Sequence, residues 1–105
     1  MSKQTGKRIF PDDQANKKVV LERIKTLWRT GETVILPHAK TRMRQRGIDV
    51  NDLGRIIKSG RIVEQSMPER IWRHTVQGRT VDGRVISCVV ELENRVIIVT
   101  VIDER

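Results

Sequence analysis

The sequence is poor in the residues that staple, stack or span. In 105 residues there is one cysteine, one phenylalanine, two tryptophans, no tyrosine and three prolines. A lone Cys88 can form no internal disulfide and no multi-cysteine zinc site, a usage that fits a reducing, cytoplasmic setting. With two histidines and no close Cys/His spacing, the chain offers a poor ligand set, so neither a metal nor another cofactor is expected. There is no glycine-rich nucleotide loop of recognised spacing. No apolar run approaches the roughly 18 residues that a membrane helix needs. Met1-Ser2-Lys3-Gln4 leads into polar sequence rather than into the apolar stretch of a signal peptide. The scarcity of aromatics removes most of the stacking platforms that single-strand RNA binders use, and this weighs against tight base-specific recognition.

What is present is basic charge, placed on one side of the chain. The net charge is +8. Residues 1–60 carry 14 Lys/Arg against 6 Asp/Glu, whereas residues 61–105 carry 7 of each. A one-sided excess suits a polyanion, because each cation placed on a phosphate releases condensed counterions. The competing explanation is a solubilising surface with no partner.

Apolar periodicity divides the chain. Residues 1–13, with Pro11-Asp12-Asp13 as a stop, are expected to be a flexible basic arm, and 14–105 a single α+β domain. From about Ala15 to Thr30, Val19, Val20, Ile24, Leu27 and Trp28 share a helical stripe, and Gly31 is a natural stop. Thr33–Leu36 is either a short strand or an extended connector ended by Pro37. A short helix follows from His38 to Arg46, closed by Gly47, with a thin apolar face of Ala39 and Met43. Asp49 predicts the N-cap of a third helix, with Asp52 three residues on and Gly60 at its end.

Beyond Gly60 the period shortens to two. A short strand at 61–65 precedes three longer ones, about 70–79, 84–92 and 95–102. Asp82-Gly83 signals a tight hairpin, Glu93-Asn94 a second turn, and Gly78 and Gly83 are assigned to turns. The run Val96–Ile102 is apolar on both faces and predicts a strand covered on both sides. The expected fold is N-terminal helices packed on a three- to four-stranded antiparallel sheet.

The segment richest in chemistry is His38-Ala39-Lys40-Thr41-Arg42-Met43-Arg44-Gln45-Arg46-Gly47-Ile48. Helical spacing puts His38, Arg42 and Arg46 in a row, one turn apart. Arginine forks bind phosphate bidentately, and histidine moves protons near neutral pH. A solvated basic helix with no such role has the same spacing. The order His-Ala-x-x-Arg-Met-x-x-Arg-Gly-Ile, then an acid-capped helix ending in glycine, then strands closing on a Val/Ile run with Thr100, resembles a bacterial domain-of-unknown-function family, number 4258. The likeness spans roughly Val34 to Asp103 and is most specific in the helix. That family is grouped with small RNase toxins of the barnase and RelE type. The resemblance implies a fold of that kind, RNA as substrate, and cleavage without metal by His, Arg, Lys or Glu side chains. Carried onto this chain it singles out His38, Arg42 and Arg46.

A second cluster follows from hairpin bookkeeping. If Asp82-Gly83 is a two-residue turn, His74 lies across from Glu91, with Ser87 and Thr100 on the same face. A His–Glu pair suits general acid–base cleavage, although an ordinary cross-strand pair has the same register, and one bulge would dissolve it. Arg73 falls on the opposite face as a candidate phosphate contact. Cys88, with apolar neighbours two residues either side, is expected to be inert core.

Two functions are therefore expected in competition. One is a metal-independent endoribonuclease toxin of toxin–antitoxin or effector type. His38, or His74 paired with Glu91, would shuttle protons; Arg42, Arg46 and Arg73 would stabilise the charged phosphorane; and Arg42, Arg46, Arg44, Lys40 and Arg73 would hold RNA. An acidic antitoxin or inhibitor would cover the basic face. The other is a non-catalytic module that binds nucleic acid or protein.

Overall fold

The structure, a computed structural model, describes residues 14–104, so the expected arm at 1–13 lies outside the described residues. Among the described residues three helices, α1 (Lys17–Arg29), α2 (Pro37–Arg46) and α3 (Val50–Ser59), accompany a five-stranded mixed sheet. Its strands are β1 (Thr33–Ile35), β2 (Arg61–Ser66), β3 (Arg73–Arg79), β4 (Val85–Leu92) and β5 (Val96–Asp103), ordered β1-β5-β4-β3-β2. The fold is α+β, as expected, but the sheet is neither three- to four-stranded nor wholly antiparallel. Thr33–Ile35 is a strand, and it lies parallel to β5 in the register Thr33↔Val96 and Ile35↔Ile98.

Side-chain caps start α1 and α3, the latter at the expected Asp49, whereas α2 begins at Pro37 without one. The Asn16 side chain accepts from the backbone N–H groups of Lys18 and Val19. At α3, Asp49 accepts from the Asp52 N–H at 2.9 Å while Asp52 accepts from the Asp49 N–H at 3.1 Å, a reciprocal capping box. All three helices contribute to one core, in which Val20, Ile24, Ala39, Leu53, Ile56 and Ile57 meet Val76, Ile86, Cys88, Val90 and Ile98 of the sheet. Burying each larger aliphatic side chain contributes roughly 1.5–3 kcal/mol. α2 lies against β5, and α3 mainly against β3.

Both long hairpins differ from the expected register by one residue, for one reason. Each loop holds three residues, not two. Thr80 and Arg84 are hydrogen-bonded around Val81-Asp82-Gly83, with Gly83 at φ +90° and its N–H donating to the Thr80 carbonyl. That is a turn followed by a left-handed glycine. Likewise the Glu93 N–H donates to the Arg95 carbonyl, leaving Leu92 opposite Val96. The pairing is consequently His74↔Val90 and Leu92↔Val96, and a bulge at Val99 restores the outward face of β5 for Thr100, opposite Val89.

Three further expectations change. Among the described residues no second layer covers the other face of β5: Ile97, Val99 and Thr100 are half-buried and Ile102 is 45% exposed. The strand expected from residue 70 begins at Arg73, after a short 3-10 turn at Pro68–Arg70 in which Glu69 and Arg70 have positive φ. Gly78 is not a turn residue but sits inside β3, where a Cβ would come within 2.8 Å of the Ile56 carbonyl oxygen and 2.9 Å of its Cα. The glycine lets α3 lie directly on the sheet.

Candidate nucleic-acid interface

α2 holds five of the expected residues. It runs Pro37-His-Ala-Lys-Thr-Arg-Met-Arg-Gln-Arg46, with proline in its first turn, no acidic residue, and Gly47 as a left-handed C-cap at φ +66°. Ala39 and Met43 face the core; His38, Lys40, Arg44 and Arg46 are exposed, and Arg42 is half-buried. At about 100° per residue, Lys40 and Arg44 sit roughly 160° around the helix from Arg42. The buried stripe lies between them. His38, Arg42 and Arg46 therefore line one flank, and Lys40 with Arg44 the other.

The C-terminal end of α2 is fixed by Arg84, which sequence reasoning missed. Its guanidinium donates to the Arg46 carbonyl at 2.8 Å and the Gly47 carbonyl at 3.2 Å. A cation there satisfies two orphan carbonyls and complements the helix dipole. Arg84 also faces Asp82 at 3.6 Å and Asp103 at 3.7 Å. The arginine spacing in α2 was legible; a cap supplied from a loop 37 residues downstream was not.

His74 does not join Glu91 in the cluster expected with Ser87 and Thr100, and Arg73, expected on the opposite face from Glu91, shares its face. With register His74↔Val90, His74 turns into the core and Glu91 turns outward to Arg73, whose Nε donates to Glu91 Oε2 at 3.0 Å. The expected His74–Glu91 juxtaposition is thus replaced by an Arg73–Glu91 ion pair on the face of the sheet opposite the helices.

His74 is fully buried, and both ring nitrogens are engaged. Nε2 donates to Gln14 Oε1 at 2.7 Å, and Nδ1 accepts from Gln65 Nε2 at 3.1 Å. Gln14 in turn donates to the Leu92 carbonyl, and Gln65 also donates to the Gln14 carbonyl. The closed ring of amides assigns the uncharged Nε2–H tautomer. Burial lowers the pKa of His74 to about 4. Trp72 lies parallel to the imidazole with ring centroids 6.0 Å apart.

Cys88 is fully buried, and burial raises its thiol to about 12. Among the described residues no three His, Cys, Asp or Glu side chains gather as a metal-holding group, and no helix is long and apolar enough to cross a membrane.

The family model described as Domain of unknown function (DUF4258) matches residues 35–103, about two thirds of the chain. The chain belongs to this family. The DUF4258 segment takes in the end of β1, all of α2 and α3, and the sheet through Asp103. α1 lies outside it, as does Gln14, although that side chain holds His74 inside the matched segment. No curated protein and no solved structure matches the chain.

Proposed function

We propose that the chain binds RNA through α2. The observation that carries this reading is a ten-residue helix with four cations, one exposed histidine and no acidic residue, docked by only two buried side chains. On the flank of His38, Arg42 and Arg46, guanidiniums one turn apart match successive phosphates. Arg42 is held half-buried beside the core stripe, so less side-chain freedom is lost on contact than for a free surface arginine. Arg84 fixes the end that carries Arg46.

The test is fluorescence anisotropy of a labelled single-stranded RNA across a salt series. Two phosphate contacts contribute about 1.4 to the slope of log affinity against log salt for a single strand. The Arg42→Ala/Arg46→Ala variant is expected to lose about that much slope, uniformly across RNA sequences. A variant that keeps the wild-type slope while remaining folded would sink the assignment.

A second reading adds cleavage, because His38 is exposed and one helical turn from Arg42. It accords with the barnase- and RelE-type RNase toxins to which the family resemblance points. In it the 2′-hydroxyl attacks the adjacent phosphorus and gives its proton to His38. Arg42 and Arg46 stabilise the phosphorane, and the P–O5′ bond breaks, leaving a 2′,3′-cyclic phosphate and a 5′-hydroxyl protonated by solvent. His74 and Glu91 take no part, the first sealed in the core and the second held by Arg73. Incubation with RNA in EDTA distinguishes the readings: cyclic-phosphate ends lost in His38→Ala select cleavage, and intact RNA leaves binding alone.

A further inference from the structure

A groove lies between α1 and α3, with a volume of about 620 Å³. Its floor is apolar: Trp28 of α1 lies against Gly54 of α3, beside Ile57 and Val50. The indole lies over Gly54, where a Cβ would stand 3.4 Å from Trp28 Nε1, at ordinary contact distance. Val50 is 56% exposed at the edge of this floor. The rim is cationic on both sides, with Lys25 and Arg29 on α1 and Arg55 and Lys58 on α3. A second hollow of about 340 Å³ shares Trp28 and Val50 and continues to Thr33 and Ile35. The Thr33 hydroxyl in it is buried with no hydrogen-bond partner among the described residues. Among the described residues no carboxylate lines either hollow.

Charge complementarity decides among occupants. A second copy of the chain brings net +8, and residues 1–13 bring Lys3, Lys7 and Arg8 against Asp12 and Asp13. Both would be repelled or indifferent. A nucleic-acid strand would find four cations but one indole, partly covered by Gly54, and an aliphatic floor where sugar and phosphate gain nothing. An acidic segment with apolar anchors satisfies both floor and rim. From Val50 to Lys58, α3 extends about 12 Å, which matches two turns of a docked helix.

We propose that the α1–α3 groove is a docking site for an acidic amphipathic segment of a partner protein. Its apolar anchor sits on Trp28 and Val50, and its carboxylates face Lys25, Arg29, Arg55 and Lys58. The site lies apart from α2 and does not depend on the RNA reading.

The probe is a synthetic 14-residue helical peptide with leucines on one stripe and glutamates elsewhere. Its counterparts carry Ser for Leu, or Lys for Glu, and a uridine 12-mer is the nucleic-acid control. In Trp72→Phe protein the indole of Trp28 is the sole tryptophan, so its emission reports occupancy. Labelled-peptide anisotropy with the unaltered protein gives the same affinity should Trp72→Phe not fold. The acidic peptide is expected to shift Trp28 emission and to bind about tenfold or more weakly to Arg29→Glu/Arg55→Glu protein. The milder Lys25→Gln/Lys58→Gln variant should lose a few-fold, and Arg42→Ala/Arg46→Ala none. Equal binding of the Ser or Lys counterpart overturns the proposal, as does a peptide that leaves Trp28 unmoved. Binding of the uridine oligomer in the groove, with the same loss in the charge-reversed variant, also overturns it and makes the partner a nucleic acid.

Discussion

The buried His74 predicts a loss of stability on mild acidification. Its pKa in the fold is about 4, against 6.5 in the unfolded chain. The unfolded state therefore takes up a proton first as pH falls. The stabilisation is complete above pH 6.5 and is lost progressively as pH drops through that value toward 4. For one site with these two values, the loss at pH 5 is about 2 kcal/mol, rising to about 3 well below pH 4. The hydrogen-bond ring sets the same direction, because a proton on Nδ1 would confront the Gln65 amide N–H that now donates to it. Urea unfolding at pH 7 and pH 5, followed by circular dichroism and tryptophan fluorescence, measures the effect. The comparison is His74→Gln protein, which starts less stable but lacks the titrating group. Wild type should lose about 2 kcal/mol more than the variant between the two pH values. If both lose the same amount, the depressed histidine is not the cause and the reasoning fails.

Other outcomes follow from particular contacts. Gly78→Ala drives a methyl group into the Ile56 backbone and is expected to cost about 2 kcal/mol or more in urea unfolding, with α3 displaced from β3. Asp49→Ala removes one half of the α3 capping box and should cost about 1 kcal/mol, most of it recovered by Asp49→Ser. Cys88, buried with its thiol raised to about 12, should react with a disulfide reagent at pH 8 only as fast as the protein opens. A burst of labelling within seconds, in protein that is folded by circular dichroism, would contradict its placement.

The sequence was most informative where its signals were local. The caps at Asp49 and Gly47, the thin Ala39/Met43 face and the exposed basic residues of α2 all lie where periodicity and cap chemistry put them. It failed where a single residue decided a long-range outcome. Asp82-Gly83 signals a hairpin but does not count the residues in its loop, and one extra residue moved Glu91 from His74 to Arg73. Gly78 has the composition of a turn, and only the approach of α3 gives it another role. The His74 environment depends on Gln14 and Gln65, which are 60 and 9 residues away and have no pattern of their own. The cationic groove was hidden for a similar reason. Lys25 and Arg29 have helical spacing, but nothing local says that Arg55 and Lys58 face them across Trp28.

The parallel pairing of β1 with β5 joins residues more than sixty positions apart, and α2 rests on that same β5. On a ribosome, α2 emerges long before the strand that supports it. Until β5 is synthesised, the basic helix lacks the strand it chiefly packs against, and its His38–Arg46 flank is not held in its final orientation. The nascent chain therefore exposes its positive charge before it can present that charge as an organised surface. Whatever the mature protein does through α2 begins only once the last strand has slotted between β1 and β4.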